Sequence, residues 1–150
     1  MFIQKQKQDF WRDITSLGGA WIYFTIILLL FAVGQTKISA EILTGFFIMY
    51  FTAVIIRLFY FKNRPKKETY NSTLEKIDAS AFPSVHSARA VFLALTFSKL
   101  FNSMQASTLL FAIAGIVCYS RIAIKKHYWT DVIGGIVLGI LTFFAVNKLF

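Results

Sequence analysis

The sequence predicts an all-α protein, a bundle of membrane-spanning helices with about five spans and an amphipathic helix at its N-terminus. Hydrophobic residues make up 57% of the 150 residues, and the mean hydropathy is +0.61. Four stretches contain no charged side chain: residues 18–36, 42–56, 102–120 and 132–147. A membrane span needs about 20 mostly apolar residues, with a range of roughly 17–25. So many long apolar stretches leave too little polar sequence to cover a soluble core, which excludes a soluble fold.

The N-terminal segment, residues 1–18, mixes hydrophobic side chains with lysine, glutamine, arginine and aspartate. This pattern predicts an amphipathic helix that lies at the membrane interface, with Trp11 as an anchor. The first span is predicted over residues 19–34. It begins late and lacks a small-x-small cleavage site, so we expect a retained span and not a cleaved signal peptide.

The second span is predicted over residues 39–61, with Arg57 in its last turns and Pro65 preventing its continuation. Residues 62–82 form the only long polar segment of the chain. Three further spans, separated by short polar links, are predicted over residues 84–101, 106–122 and 128–148. The whole chain, residues 1–150, is expected to form one integral-membrane domain.

Three polar clusters lie at the span ends, at residues 57–65, 82–87 and 120–131. Because consecutive spans alternate in direction, the second and fourth spans end on the side where the third and fifth begin. We therefore expect the three clusters, and the polar segment 62–82, to meet at one face of the membrane.

Three arginines in these clusters, Arg57, Arg64 and Arg121, are expected to approach the common face from different helices. A planar guanidinium suits phosphate oxygens, and three of them in an apolar setting require an anion between them. The backbone amides of Ser84, Val85 and His86 lie at a predicted helix N-terminus, which also favours anions. Taken alone, Arg57 could merely extend to the interface and Ser84 could be a helix cap. The combination predicts a phosphate pocket.

Both histidines of the chain, His86 and His127, belong to the same clusters. Asp131 follows His127 by four residues and shares its helical face, where its carboxylate can accept one ring N–H and leave the other nitrogen as a nucleophile. His86 is then the candidate general acid for the leaving oxygen. A metal site is the alternative for two histidines and an aspartate, and the nearby arginines oppose it because they repel cations.

The three clusters resemble the type 2 phosphatidic acid phosphatase family, whose pattern is K-x6-RP, PSGH and SR-x5-H-x3-D. This sequence contains R-x6-RP, PSVH and SR-x5-H-x3-D in the same order over residues 57–131. The resemblance implies hydrolysis of phosphomonoesters or pyrophosphates, often of lipids, without a metal or other cofactor. It implies that His127 forms a phosphohistidine, that Asp131 orients it and that His86 protonates the leaving group. It also implies phosphate-binding roles for Arg57, Arg64, Ser84, Val85 (through its amide) and Arg121.

Two residues depart from the family pattern. Arg57 replaces a lysine, which keeps the charge and changes the geometry, and Val85 replaces a glycine. The valine side chain either narrows the pocket or demands a different backbone angle. Membrane members of the family commonly have six spans, whereas this sequence predicts five.

The net charge of +9 indicates contact with anionic lipid headgroups or an anionic substrate, and the sequence has no basic-aromatic array typical of nucleic-acid binding. Lys37, Lys99 and Lys148 fall at the opposite end, which leaves thirteen of the sixteen lysines and arginines near the clusters. The positive-inside rule then places the clusters in the cytoplasm, whereas the resemblance favours the outer face or a lumen. Both alternatives stay open.

The expected location is a prokaryotic cell membrane, and the expected partners are membrane lipids and a lipid phosphate or diphosphate. Polyprenyl diphosphate, phosphatidylglycerol phosphate and phosphatidic acid are all candidate substrates. Two other functions compete with hydrolysis. One is a phosphotransferase that uses the same histidine, and the other is a lipid-binding membrane protein without turnover.

Overall fold

The computed structural model describes residues 2–66 and 69–150, apart from the side chains of residues 2–5, 7, 73 and 74. Within these residues it contains seven α-helices and no β-strand, which confirms the predicted all-α class. The helices are α1 (Phe2–Ser16), α2 (Ala20–Ala32), α3 (Thr36–Phe59), α4 (Thr73–Ala79), α5 (Val85–Phe101), α6 (Met104–Ala123) and α7 (Trp129–Leu149).

Four segments of the described chain are long and apolar enough to cross a membrane: Gln8–Ala32, Thr36–Phe59, Met104–Ala123 and Trp129–Leu149. The first combines the second half of α1 with α2. The remaining predicted span corresponds to α5, whose 17 residues extend about 25 Å and include Arg89 and Lys99. Helix α5 packs against α3, α6 and α7, so neighbouring helices surround much of it and its polar residues are tolerated.

Helices α5 and α7 approach each other closely because α7 presents glycine at the contact. A Cβ atom on Gly139 would lie 2.5 Å from the carbonyl oxygen of Ala88, and one on Gly135 would collide with the carbonyl oxygen of Ser84. Small residues allow such close packing between membrane helices.

Hydrogen bonds at both ends of the bundle establish the alternating helix directions. At one end, the N–H of Ser84 donates to the carbonyl oxygen of Asp131 over 2.9 Å. At the other end, Lys37 Nζ donates to the carbonyl oxygen of Phe150 over 2.9 Å. The three polar clusters therefore meet at one end of the bundle, as predicted.

Two segments near the polar clusters add to this end of the bundle. Helix α1 packs against α6, where the ring centroids of Trp11 and Tyr119 are 5.2 Å apart. The polar segment 62–82 contains the short helix α4, which was not predicted from the sequence. Its N-cap is Ser72, whose side chain accepts a hydrogen bond from the N–H of Glu75 over 3.2 Å.

Candidate active site

A cavity of about 210 Å³ opens at the end of the bundle where the three clusters meet. Six of the eight predicted site residues line it: Arg57, Arg64, Val85, His86, Arg121 and His127. The lining also includes Tyr50, Ala53, Val54, Asp78, Arg89 and Lys126, none of which was predicted as a site residue. Ser84 and Asp131 lie behind this lining and are fully buried.

His127 lies in the short link between α6 and α7 and is 3% exposed. Its Nδ1 atom is 2.7 Å from the carbonyl oxygen of Ala81. Because a carbonyl oxygen only accepts, Nδ1 carries the proton and Nε2 keeps its lone pair. The carboxylate of Asp131 is 4.0 Å from Nδ1, beyond hydrogen-bond distance. The predicted hydrogen bond from His127 to Asp131 is therefore replaced by one to a backbone oxygen.

Asp131 connects several elements behind the cavity. Its Oδ1 pairs with Lys62 Nζ at 2.5 Å, and its Oδ2 accepts the N–H of Tyr128 over 2.8 Å. The second contact caps the N-terminus of α7, where a negative charge is favourable. Lys62 was not predicted as the ion partner of Asp131, because it is one of several lysines in a polar segment.

Ser84 already uses its backbone N–H and accepts a hydrogen bond at its Oγ. Its N–H donates to the backbone of Asp131, and its Oγ accepts from Ser87 Oγ over 3.0 Å. Its expected role as an amide donor to phosphate is therefore not available in this arrangement. Val85 and His86, the first residues of α5, both line the cavity, and N–H groups at a helix N-terminus have no helical partner.

Val85 adopts helical backbone geometry as the first residue of α5. Among the described residues, positive φ angles at non-glycine positions occur only at Asn102 and Lys125. Replacing the family's glycine therefore has no backbone consequence here. The valine side chain, 9% exposed, instead fills part of the cavity wall.

The three predicted arginines all line the cavity, Arg57 from α3 and Arg121 from α6. Arg64 lies in the polar segment after α3 and not on a helix, which corrects the expectation of three different helices. Arg57 NH1 lies 3.9 Å from a carboxylate oxygen of Asp78, whose side chain is 88% exposed, so this pair is weak. Arg64 NH2 donates to the backbone carbonyl of Asp78 over 2.6 Å. Arg121 NH1 donates to Thr15 Oγ1 over 2.8 Å.

Arg89 is a fourth arginine in the cavity lining and was not among the predicted site residues. Its NH1 donates to the carbonyl oxygen of Gly18 over 3.3 Å, and its guanidinium lies 5.4 Å from the ring centroid of Phe46. A signal was present in the sequence, because Arg89 follows His86 by three residues and shares its helical face.

The cavity holds His127 in its neutral form. Burial lowers the pKa of His127 from 6.5 to about 3, the positive charge of Arg121 acts in the same direction, and the hydrogen bond to Ala81 opposes them. Burial also lowers the pKa of Arg64, with the charge of Asp78 opposing. Asp78 is the one carboxylate among the described lining residues, so the cavity is strongly positive and suited to an anion.

Residues 39–150 match the family model described as the PAP2 superfamily, and this range contains all eight predicted site residues. The chain belongs to the PAP2 superfamily. This confirms the family that the three clusters indicated. Helices α1 and α2 precede the matched range.

Two solved PAP2-like structures share the fold. Aquifex aeolicus LpxE superimposes with a TM-score of 0.78 at 21% identity, covering 94% of this chain and 85% of that one. A transmembrane PAP2-type phosphatidylglycerolphosphate phosphatase from Bacillus subtilis superimposes with a TM-score of 0.76 at 24% identity, covering 95% and 75%. Together with the four apolar segments, they identify this PAP2 protein as an integral, multi-pass membrane protein.

A lipid A 4'-phosphatase from Porphyromonas gingivalis is 33% identical over 69 residues. The similar region covers 46% of this chain and 29% of that relative, so less than a third of the relative is represented.

Proposed function

We propose that this PAP2 protein hydrolyses the phosphomonoester or diphosphate of a membrane lipid through a phosphohistidine on His127, without a metal or other cofactor. One observation carries the proposal. The hydrogen bond to Ala81 places the ring proton on Nδ1, which leaves a lone pair on Nε2. His127 lines a cavity that is also lined by four arginines.

In the first step, Nε2 of His127 attacks phosphorus and the bond to the lipid oxygen breaks. The guanidinium groups of Arg57, Arg64 and Arg121 bind the non-bridging oxygens and stabilise the charge of the transition state. His86 donates a proton to the departing oxygen. A phosphoryl group beside His86 favours its charged form before this transfer.

In the second step, water attacks the phosphorus and the P–N bond breaks, which releases inorganic phosphate. His86, now neutral, accepts the proton of the water. Between the steps the phosphorylated ring is cationic and keeps its Nδ1 proton on the oxygen of Ala81. The carboxylate of Asp131, 4.0 Å from Nδ1, offsets that positive charge without a direct hydrogen bond.

The composition of the cavity supports a reaction in which protein groups, and not a metal ion, bind the phosphate. A divalent cation would meet two histidines and one carboxylate, surrounded by the guanidinium groups of four arginines. Such a set of side chains repels cations and favours the oxygens of a phosphate.

A lipid is the favoured substrate because the cavity lies at the end of membrane-spanning helices, at the expected level of lipid headgroups. Two of the similar proteins are named for lipid substrates, lipid A and phosphatidylglycerol phosphate. The candidates for this chain are polyprenyl diphosphate, phosphatidylglycerol phosphate and phosphatidic acid.

The test is phosphate release by the purified protein in detergent, measured over a panel of these lipids with and without a chelator. We expect release that the chelator leaves unchanged and that His127→Ala abolishes. Gly115→Ala is the matched control, since a Cβ there contacts no other atom within 4 Å. Acid quenching during turnover should leave the phosphoryl group on a histidine.

Three outcomes would contradict the proposal. Full activity of His127→Ala would exclude the nucleophile, and inhibition by the chelator would exclude a metal-independent reaction. A phosphorylated acceptor in place of free phosphate would identify a phosphotransferase instead.

A further inference from the structure

The last turn of α1 and the link that joins it to α2, residues 15–19, contact the active site, although they precede the family-matched range 39–150. Thr15 Oγ1 accepts a hydrogen bond from Arg121 NH1 over 2.8 Å. Three residues later, the carbonyl oxygen of Gly18 accepts one from Arg89 NH1 over 3.3 Å. Two of the four cavity arginines are thus held by residues outside the range that matches the superfamily model.

We propose that Thr15 is a positioning residue for the reaction, which fixes the guanidinium of Arg121 so that its remaining N–H groups face the phosphoryl group. The proposal rests on the proposed phosphatase function. Arg121 is 6% exposed, and its Nε–H has no hydrogen-bond partner, so the guanidinium still has a donor to offer.

A hydroxyl is suited to this task because it is neutral. The positive charges of Arg64 and Arg89 act on Arg121 within the same cavity, and their repulsion opposes a fixed position. A carboxylate would hold Arg121 more strongly but would also cancel the charge that binds phosphate. The oxygen of Thr15 supplies an acceptor and leaves that charge intact.

The position of Thr15 is in turn set by the packing of α1 on α6, the helix that carries Arg121. The rings of Trp11 and Tyr119 are in edge contact, and Gly18 lies between α6 and the start of α5. A Cβ atom on Gly18 would lie 3.0 Å from Val117 Cγ1 and 3.1 Å from the carbonyl oxygen of His86. The segment is therefore seated against α5 and α6, two of the helices that carry cavity residues.

The experiment compares Thr15→Val, Thr15→Ser and the wild type in detergent, with two measurements: kcat/KM for phosphate release and the Kd of inorganic orthovanadate. Loss of a hydrogen bond to a charged group lowers a binding or rate constant by roughly tenfold to hundredfold. We expect Thr15→Val to lower kcat/KM by about that factor and to weaken vanadate binding in parallel. Thr15→Ser, which keeps the hydroxyl, should restore most of both.

Thr25→Val is the matched control. Thr25 is exposed on α2, and its hydroxyl donates only within its own helix, to the carbonyl oxygen of Trp21 over 2.9 Å. This variant should keep the wild-type kcat/KM and vanadate affinity. If Thr15→Val is poorly folded, Thr15→Ala removes the same hydroxyl with a smaller side chain, and the melting temperature of each variant identifies a folding defect.

A double-mutant cycle isolates the interaction with Arg121. In an Arg121→Met background no donor to Thr15 remains at this position, so Thr15→Val should cause little further loss. Equal losses in both backgrounds would overturn the proposal, and so would wild-type vanadate affinity in Thr15→Val. If the wild type itself releases no phosphate, the proposed function fails, while the vanadate measurements still decide whether Thr15 positions an anion-binding arginine.

Discussion

His127 Nδ1 lies 2.7 Å from the carbonyl oxygen of Ala81, so a backbone oxygen determines which ring nitrogen carries the proton. Asp131, the residue expected to do this, lies 4.0 Å from the same nitrogen and is engaged with Lys62. The orientation of the candidate nucleophile therefore depends on the polar segment before α5. The aspartate contributes its charge and the anchoring of α7.

The first prediction concerns the protonation of His127. Its pKa, lowered to about 3 by burial and next by the charge of Arg121, keeps the ring neutral at pH 5. The chain contains two histidines, so nitrogen NMR of histidine-labelled protein resolves them, with His86→Asn for assignment. We expect a neutral ring with its proton on Nδ1 at pH 5. A titration midpoint near 6.5 would contradict the structure.

The same pKa has a consequence for stability. Between pH 6.5 and about 3 the unfolded chain binds a proton at residue 127 that the folded protein does not bind. The contribution of His127 to stability is therefore fully present above pH 6.5 and declines as the pH falls through this window. The melting temperature is measured as a function of pH. The control is His127→Ala, whose melting temperature should decrease less than that of the wild type over the same pH range.

The second prediction concerns the ion pair of Lys62 with Asp131. The carboxylate is fully buried, whereas the lysine side chain is 25% exposed. Lys62→Met leaves a buried charge without this partner, and we expect a loss of stability on the order of 2 kcal/mol, measured as a lower melting temperature in detergent. Lys66→Met, an exposed lysine of the same polar segment, should have no such effect.

A second substitution tests the cause of that loss. In Lys62→Met/Asp131→Asn the buried group is neutral and can still accept the N–H of Tyr128, so much of the stability should return. A double variant no more stable than Lys62→Met would show that the lysine acts through packing and not through the buried charge.

The convergence of the site could be predicted from sequence because apolar stretches determine it. Alternating spans place Arg57, Arg121 and His127 at the same end of the bundle, and the structure brings all three to one cavity. The partner of His127 could not be predicted, because it is a carbonyl oxygen and every residue has one. The Lys62–Asp131 pair likewise has no local signal, since the two residues are 69 positions apart.

The contribution of the N-terminal segment depends on packing between distant helices. Amphipathic patterning predicted a helix there, and α1 is present. The pattern contained no information on which helix α1 would contact. Thr15 reaches Arg121, 106 residues away, because aromatic rings seat α1 on α6.

The third prediction concerns the departure of Arg57 from the lysine of the family pattern. Arg57 NH2 donates to the carbonyl oxygen of Pro83 over 3.0 Å, which ties the end of α3 to the start of α5. The guanidinium of Arg57 has further N–H groups that can bind a phosphate while NH2 holds the oxygen of Pro83. A lysine ammonium is a single point of charge and is poorly suited to hold both oxygens at once. We expect Arg57→Lys to lower kcat/KM roughly tenfold, and Arg57→Ala to lower it further. Unchanged kcat/KM in Arg57→Lys would show that only the charge matters.

The last prediction concerns the close contact of α7 with α5. A Cβ on Gly139 would lie 2.5 Å from the backbone oxygen of Ala88, and backbone atoms cannot yield as a flexible side chain can. Gly139→Ala should therefore separate the helices and reduce stability by about 1–3 kcal/mol, the usual effect of overpacking. Because α5 carries His86 and the start of α7 adjoins His127, phosphate release should fall as well.

The control for Gly139 is Gly115→Ala on α6, where a Cβ contacts no other atom within 4 Å. Alanine is favoured over glycine in a helix by roughly 1 kcal/mol, so this variant should match or exceed the wild type in melting temperature. If Gly139→Ala behaves like Gly115→Ala in melting temperature and activity, the close approach of α5 and α7 is not required. The separation of His86 from His127 then has to be maintained by the Ser84–Asp131 backbone hydrogen bond at the N-termini of the two helices.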